Sequence, residues 1–346
     1  MSRSKSVIVA IVLSSASTAA AQRLKAPEAS PPASVQQTVG LTEISVSYHR
    51  PAVSNRKVWG ELVPYDAVWR AGANENTTVT FSTDVKVNGR PLRAGTYGLH
   101  MLPTQKDWTV IFSTATTSWG SYTYDPKEDA LRVSATPVPV PIAVERLQFR
   151  FDNADDKRAT LVLAWEKLTV PVAIEVDTPK IVMDSMKKEL RGQLGYAWQA
   201  WNQAAHYAAT NGGNLTDALA MADKSIGMTP TYANHSTRAL ILDKQGKKAQ
   251  AGEARTAALA LATEPDLNLA GYQLINDKKL AEAIAMFQSI AQKYPQSWNA
   301  QDSLGEALAM NGDKPGALAA YEKALALVKD AVQKKRIEGV IVQLKK

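Results

Sequence analysis

A spacing of 34 residues in the C-terminal half constrains the fold more than any other feature of this sequence. Three pairs of residues share that spacing: Gly271 and Gly305, Ala283 and Ala317, and Phe287 and Tyr321. Small residues let two helices approach closely, and an aromatic ring one helix later fills the gap to the next pair. The pattern therefore predicts stacked helical hairpins rather than a globule closed around a single core.

Two weaker units precede these two. One contains Gly246, Ala251 and Ala258; the other contains Trp201, Ala205, Ala218 and Ala222, ends at Pro230 and carries an insertion at 211–214. A period of 34 is typical of tetratricopeptide repeats, and about four units exceed the roughly three needed to bury a continuous core. Residues 178–346 are therefore predicted to form an all-α, tetratricopeptide-like array that ends in a polar capping helix at 331–346.

Residues 35–177 follow a different period. Ile44, Val46 and Tyr48 alternate with polar residues, and several later runs repeat this two-residue alternation, which is typical of strands with one buried face. Asn88-Gly89 predicts a tight hairpin, because both central positions of that turn need positive φ. Many short strands with frequent turns favour an antiparallel β-sandwich. The run 137–141 has three prolines and is predicted at a sheet edge.

The change of period places the domain boundary at Asp177-Thr178-Pro179. An acidic capping residue followed by a proline in the first turn is typical of a helix start. The fold class predicted for the whole chain is thus α+β multidomain, with a β-sandwich domain followed by helical repeats.

The first residues predict export. Arg3 and Lys5 form a basic segment, residues 7–13 are apolar, and small residues lead to a cleavage site between Ala21 and Gln22. Seven apolar residues are far short of the roughly 20 that span a bilayer. We therefore expect a signal peptide at 1–21, a flexible leader at 22–34 and a periplasmic or secreted protein.

Composition excludes several classes of function. The chain has no cysteine, which excludes disulfides and thiolate chemistry. The net charge of +7 comes from basic residues scattered among acids, whereas a nucleic-acid-binding protein concentrates them on one face. No paired histidine motif or phosphate-binding loop occurs, so we expect no metal site, no cofactor and no nucleic-acid partner.

The densest cluster of unusual residues lies between Tyr48 and Glu75. It supplies arginines, aromatic rings and two polar residues that could together bind an anion, a sugar or a cation. The candidate ligand-binding residues are Arg50, Arg56, Trp59, Trp69, Arg70, Asn74, Glu75 and Tyr97. The alternative is structural: the tryptophans form core, and the arginines pair with acids such as Glu61, Asp66 and Glu75.

Within residues 33–176 the sequence resembles the exported bacterial proteins that carry the "domain of unknown function 2911". The resemblance rests on five motifs in order: Arg50-Pro51, Gly60-x-Leu62-Val63-Pro64, Trp69-Arg70-x-Gly72-Ala73-Asn74, Val87-Asn88-Gly89 and Ala94-Gly95-Thr96-Tyr97. It implies a fold and an exported location, but no activity or catalytic residue. His100 stands where the resemblance leads us to expect an apolar or aromatic residue. Ser118-Trp119-Gly120-Ser121 has no base that the sequence identifies.

Two classes of function remain open. The first is a non-catalytic interaction protein whose repeats bind a protein or peptide partner, while the β domain binds a ligand or envelope component. Residues that could line the groove of such an array are Asn202, Asn234, Arg238, Gln273 and Gln301. The second is an envelope hydrolase, or a small-ligand- or carbohydrate-binding sandwich, with its site at residues 50–75.

Overall fold

A computed structural model describes residues 26–346. The chain divides between Val176 and Asp177 into two compact units. The predicted signal peptide and residues 22–25 of the predicted leader lie outside the described residues. The first strand begins at Pro32, within the predicted leader, because residues 32–34 pair with Ser47–His49 of the second strand.

The first unit contains ten strands among its described residues. Their bounds are β1 Pro32–Val39, β2 Thr42–His49, β3 Thr78–Phe81, β4 Val85–Val87, β5 Arg90–Leu92, β6 Gly95–Leu102, β7 Trp108–Ser113, β8 Asp129–Ala135, β9 Val138–Asp152 and β10 Arg158–Glu175. They form a six-stranded sheet, β1-β2-β3-β6-β7-β8, and a four-stranded sheet, β5-β4-β10-β9. Every pair of neighbouring strands is antiparallel.

Apolar side chains from both sheets line one shared interior. Leu99 and Phe112 come from the larger sheet, and Phe149, Leu161 and Leu163 come from the smaller one. All five are at most 4% exposed, which places the core of the unit between the two sheets.

The observed hairpin and sheet edge agree with the predictions made from the sequence. Asn88 and Gly89 have φ of 45° and 77°, and they join β4 to β5 in the predicted hairpin. Residues 138–141 of the proline-rich run lie in β9, which is an edge strand of the four-stranded sheet, as predicted.

The second unit contains ten α-helices. Their bounds are α1 Thr178–Glu189, α2 Trp198–Thr210, α3 Leu215–Met228, α4 Tyr232–Lys244, α5 Lys248–Leu261, α6 Glu264–Asn276, α7 Leu280–Lys293, α8 Trp298–Met310, α9 Lys314–Leu327 and α10 Ala331–Leu344. Helices α2/α3, α4/α5, α6/α7 and α8/α9 form four hairpins, and α10 packs on α9. We call α2, α4, α6 and α8 the A helices, and α3, α5, α7 and α9 the B helices.

The helix starts extend the repeat register to all four hairpins. The eighth residue of each A helix is small: Ala205, Ala239, Gly271 and Gly305. The fourth residue of each B helix is a fully buried alanine: Ala218, Ala251, Ala283 and Ala317. A Cβ added at Gly271 would lie 2.5 Å from the ring of Phe287, and one added at Gly305 would lie 2.9 Å from the ring of Tyr321. Glycine is therefore required at these two positions by the approach of the aromatic ring.

The predicted fold class is confirmed: a two-sheet antiparallel β unit is followed by a helical repeat array. The predicted insertion at 211–214 amounts to one residue, because that connection has four residues and the corresponding connections of the other hairpins have three. No helix within residues 26–346 is both long and apolar enough to cross a bilayer.

Candidate functional site

The long connection between β2 and β3, residues 50–77, carries the arginine and tryptophan motifs. It is attached to the sheets by short backbone bridges. Trp69 exchanges backbone hydrogen bonds with Met101 of β6, and Val53 N donates to the carbonyl of Glu145 in β9. These bridges hold an irregular segment in one position, which is a requirement for a defined site on a loop.

Four tryptophans pack together beneath this connection. Trp59 contacts Trp69, Trp108 and Trp165 with ring-centroid distances of 5.9, 4.8 and 5.6 Å. Trp69 and Trp165 are stacked, with centroids 5.9 Å apart and ring planes 20° from parallel. Trp59, Trp108 and Trp165 are at most 7% exposed, so this cluster is core, as the structural alternative predicted.

A cleft of about 400 Å³ opens above the tryptophan cluster. Its polar and aromatic lining consists of Ser30, Arg56, Trp69, Arg70, Ser121, Tyr122 and Trp165. Its apolar lining consists of Pro51, Leu62, Val63, Pro64, Ala67, Val68 and Ala73, together with Gly72. Three of the predicted ligand-binding residues, Arg56, Trp69 and Arg70, therefore lie at one cavity. Among residues 26–346, no acidic side chain lines it.

Two N–H groups at the cleft have no hydrogen-bond acceptor among the described residues. Trp165 Nε1 and Arg70 Nε are buried and have no hydrogen-bond partner among the described residues. By contrast, Trp69 Nε1 donates to the carbonyl of Gly72 at 3.1 Å. Buried donors are nearly always paired in folded proteins, so two unpaired donors at one cavity suggest that a bound molecule supplies the acceptor.

The other predicted ligand-binding residues have structural roles. Arg50 Nε donates to the carbonyl of Leu147 at 3.0 Å. Asn74 adopts positive φ, and its Nδ2 donates to Glu28 and to the carbonyl of Ser30. Tyr97 is buried and donates to the carbonyl of Arg93, and Trp59 lies within the tryptophan cluster. None of these four lines the cleft.

Glu75 is also outside the cleft. Its carboxylate lies 3.1 Å from Nε2 of His49, which is 3.5 Å from Glu28 as well. Within residues 26–346, no cluster of three or more potential ligands is placed to hold a metal ion.

The predicted alternative of arginine–acid pairs in this segment was wrong. Arg56 donates from Nε to the carbonyl of Val53 and from Nη2 to that of Ala52. Glu61 instead pairs with Lys57. The guanidinium of Arg56 thus bonds to carbonyls three and four residues before it, because the chain folds back on itself locally.

Sequence reasoning missed a serine–histidine pair at the edge of the cleft. His100 Nδ1 lies 2.9 Å from Oγ of Ser121, a residue of the cleft lining. Burial lowers the pKa of His100, and the negative charge of Asp129 partly opposes that shift. His100 is 2% exposed, and the lowered pKa favours its neutral form, in which one ring nitrogen is a hydrogen-bond acceptor and the other a donor. The two residues are 21 positions apart on different elements, so no local motif signals the pair.

In the second unit, two of the predicted groove residues were wrong. Asn234 is fully buried; its side chain caps α4 at Thr231 and donates to Ser225 and to the carbonyl of Thr229. Gln301 is 6% exposed and donates to the carbonyl of Ala291. Both are polar residues buried between hairpins, because a partner for their amides lies in the preceding repeat.

The remaining predicted groove residues are at least partly accessible. Arg238 is paired with Asp223 at 2.8 Å, and Gln273 is exposed on α6. Asn202 is the fifth residue of α2, and it is half-buried.

The fifth and ninth residues of the A helices occupy equivalent positions in the four hairpins, and we call this set of residues the A-helix surface. Its members are Asn202, His206, Ser236, Leu240, Asn268, Tyr272, Asp302 and Glu306. The Tyr272 hydroxyl donates to Glu306 at 2.7 Å, which links position nine of α6 to position nine of α8. Arg336 of α10 donates to Asp302 at 2.7 Å and extends the surface to the last helix.

Three of the four position-five residues share an unusual feature. The Oδ1 atoms of Asn202, Asn268 and Asp302 are buried and have no hydrogen-bond partner among the described residues. The same unpaired acceptor at the same position in three repeats is a regular property of this surface.

Comparisons with known proteins agree with the two-part architecture. A family model described as "Protein of unknown function (DUF2911)" matches residues 30–174, which confirms the predicted resemblance. No curated protein matches the sequence significantly.

Solved structures match the helical half only weakly. "Crystal structure of MamA" is 18% identical, covers 43% of this chain and 88% of its own, and has a TM-score of 0.26. "Crystal structure of YrrB: a TPR protein with an unusual peptide-binding site" is 18% identical, with coverages of 46% and 84% and a TM-score of 0.27. PilF of Pseudomonas aeruginosa is 21% identical, with coverages of 42% and 67% and a TM-score of 0.27.

At these TM-scores the likeness carries no argument about function. The repeat assignment depends instead on the four hairpins and their shared positions of small residues. The β-rich first unit of this chain matches the model of the DUF2911 family over residues 30–174, and it is followed by a tetratricopeptide-like helical array.

Proposed function

We propose that the helical array binds an extended peptide segment of a protein partner along the A-helix surface. The observation that supports this most directly is the row of unpaired acceptor oxygens at Asn202, Asn268 and Asp302. An extended peptide presents backbone N–H groups at regular intervals, and the repeat presents acceptors at regular intervals. Leaving an acceptor unpaired costs roughly 1–3 kcal/mol, so a peptide donor that satisfies it contributes to affinity.

The packing of the array is consistent with this role. Asn202 and Asn268 are only half-buried, so part of each side chain is accessible at this surface. His206 and Glu306 on the same surface are exposed. Stacked hairpins leave such a surface open over several repeats instead of closing it into a catalytic pocket.

The test is selection of peptides from a random display library on the purified chain, followed by measurement of Kd. Replacing both Asn202 and Asn268 by Ala should raise the Kd of the selected peptides by about thirtyfold, since each of the two lost hydrogen bonds is worth about 1 kcal/mol. Gln250→Ala and Gln288→Ala are matched controls, because both amides are exposed on B helices. Equal affinity for the asparagine variants and the controls would contradict the proposal.

We further propose that the chain acts outside the cytoplasm. The support is the basic, apolar and small-residue order of the first 21 positions. Expression of the full sequence in a bacterial host should give a protein in the exported fraction whose first residue is Gln22. A protein that remains cytoplasmic with its N-terminal segment intact would contradict this location.

A further inference from the structure

The cleft in the first unit is the strongest feature that the proposed function of the repeats does not use. Its polar side chains carry donors or hydroxyls: the guanidinium groups of Arg56 and Arg70, the indole of Trp165, and the hydroxyls of Ser30, Ser121 and Tyr122. A cavity lined by two cations, with no acidic side chain from the described part of the chain, favours an anionic occupant.

The charge and number of available donors narrow the choice of anion. Arg56 already donates from Nε and Nη2 to backbone carbonyls, so part of its hydrogen-bonding capacity is used. Arg70 forms no ion pair with any described carboxylate, and its Nε is unpaired. One free guanidinium and one free indole N–H match the two oxygens of a carboxylate better than the three oxygens and higher charge of a phosphate group.

The rest of the cleft is apolar. Pro51, Leu62, Val63 and Pro64 line it beside the stacked rings of Trp69 and Trp165. A volume of about 400 Å³ is within the range of small-molecule sites, which are mostly apolar with a few polar groups that fix orientation.

We propose that this cleft binds a small organic carboxylate. The carboxylate accepts hydrogen bonds from Arg70 and from Trp165 Nε1, and the apolar body lies against Trp69 and the prolines. Ser121, held by His100, donates or accepts one further hydrogen bond at the edge of the site. This site is separate from the A-helix surface, so its test does not depend on peptide binding by the repeats.

The experiment uses the full chain labelled with ¹⁵N and a panel of probes. The carboxylates are hexanoate, phenylacetate and dodecanoate; hexanamide and phenylacetamide are neutral counterparts, and phenyl phosphate is the competing anion. Binding of a carboxylate should move the Trp165 indole N–H signal downfield, because that group gains an acceptor. The signal is assigned by its loss in Trp165→Phe.

Affinities of the same probes then test the role of Arg70. Arg70→Gln should weaken carboxylate binding at least tenfold, Arg70→Lys should weaken it less, and the exposed Arg90→Gln should leave it unchanged. Near-ultraviolet circular dichroism of the tryptophan cluster verifies that each variant is folded. The proposal is overturned if no carboxylate moves the Trp165 signal, if the amides bind as tightly as the acids, or if phenyl phosphate binds more tightly than phenylacetate.

Discussion

Lys278 has a left-handed backbone conformation, and glycine occupies the equivalent position in the other three hairpins. The second residue after each A helix has positive φ: 77° at Gly212, 78° at Gly246, 62° at Lys278 and 81° at Gly312. A residue with a Cβ is strained in this left-handed region by roughly 1–2 kcal/mol. Glycine avoids this strain, but its larger conformational entropy in the unfolded chain offsets part of the gain in stability.

Lys278→Gly should therefore raise the free energy of unfolding by about 1 kcal/mol. Denaturant unfolding followed by the helical circular-dichroism signal measures the change. Gly312→Ala is the reciprocal control and should lower stability by about the same amount, since nothing in space opposes its Cβ and only the backbone does. An equal or lower stability of Lys278→Gly would contradict this explanation.

His100 predicts a dependence of stability on pH. Burial lowers the pKa of its imidazole below the ordinary value of 6.5, despite the opposing charge of Asp129, while the unfolded chain keeps the ordinary value. As pH falls below about 6.5, the unfolded state therefore binds the proton before the folded state does. The contribution of His100 to stability is complete above that pH and is lost as pH falls from it toward the folded-state pKa.

The groups around the imidazole are Ser121, which is hydrogen-bonded to it, the ring of Tyr124 and the charge of Asp129. The free energy of unfolding should fall between pH 7 and pH 5 more steeply in the unmodified chain than in His100→Gln. Comparing the two slopes by denaturant titration removes the contributions of other groups. Identical slopes would show that His100 does not titrate differently in the folded and unfolded states.

For single residues, the sequence predicted which segment lines the cleft better than it predicted the role of each residue in that segment. The arginine and tryptophan motifs did identify the segment that lines the cleft, since three of eight predicted residues are there. Arg50, Asn74 and Tyr97 could not be separated from them, because their partners are backbone carbonyls of residues distant in sequence or folded back locally. Trp165 was missed as a residue of the cleft lining, because a strand tryptophan gives no sign that its N–H is left unpaired.

In each hairpin of the array, the facing side chain on the B helix varies with the size of the residue at position eight of the A helix. Gly271 and Gly305 are followed 16 positions later by Phe287 and Tyr321, whereas Ala205 and Ala239 are followed by smaller or polar residues at the equivalent places. Two hairpins combine a glycine on the A helix with an aromatic ring on the B helix, and the other two combine an alanine with a residue that has no ring. Both combinations keep the space between the helices filled.

Gly305→Ala should therefore destabilise the array by about 1–3 kcal/mol, because the new Cβ would lie 2.9 Å from the ring of Tyr321. Gly252→Ala is a matched control on α5, where the added Cβ meets no atom within 4 Å. That control should instead stabilise by about 0.5–1 kcal/mol through the higher helix propensity of alanine. The two unfolding midpoints should thus move in opposite directions, and a shift in the same direction would refute the packing argument.

The elements themselves were predictable where a strict period repeats. The 34-residue spacing identified the last two hairpins, and the change of period at Asp177 coincides with the residue whose carboxylate caps α1. The first two hairpins were weaker in the sequence because their position-eight residues are alanines, which are common throughout a helix. The pairing order of the strands was not available from the sequence, since alternation gives the buried face of a strand and not its neighbour.

Over the whole repeat unit, stability should vary along the chain. The first two hairpins pack together through α3 and α4, and the last two through α7 and α8, so a change in the last hairpin acts first on its neighbouring helices. The pair formed by Asp302 and Arg336 links α8 to the last helix. The aspartate is 10% exposed, and burial raises the pKa of Asp302 while Arg336 opposes that shift.

Arg336→Gln should leave Asp302 with a buried charge and lower stability by about 1–3 kcal/mol. Hydrogen exchange should become faster in α8, α9 and α10 and stay unchanged in α2 and α3. Lys345→Gln removes an exposed pair with Glu322 and should have almost no effect. Uniformly faster exchange over all helices would show that the array unfolds as a single unit instead.

The tryptophan cluster has a further consequence for how this molecule responds to light. Four indole rings whose centroids are within 6 Å of a neighbour share their excited states, and the stacked pair lies against the cleft. Any molecule that enters the cleft changes the surroundings of this coupled chromophore. The first unit therefore carries its own optical reporter, which registers occupancy and unfolding without an attached dye.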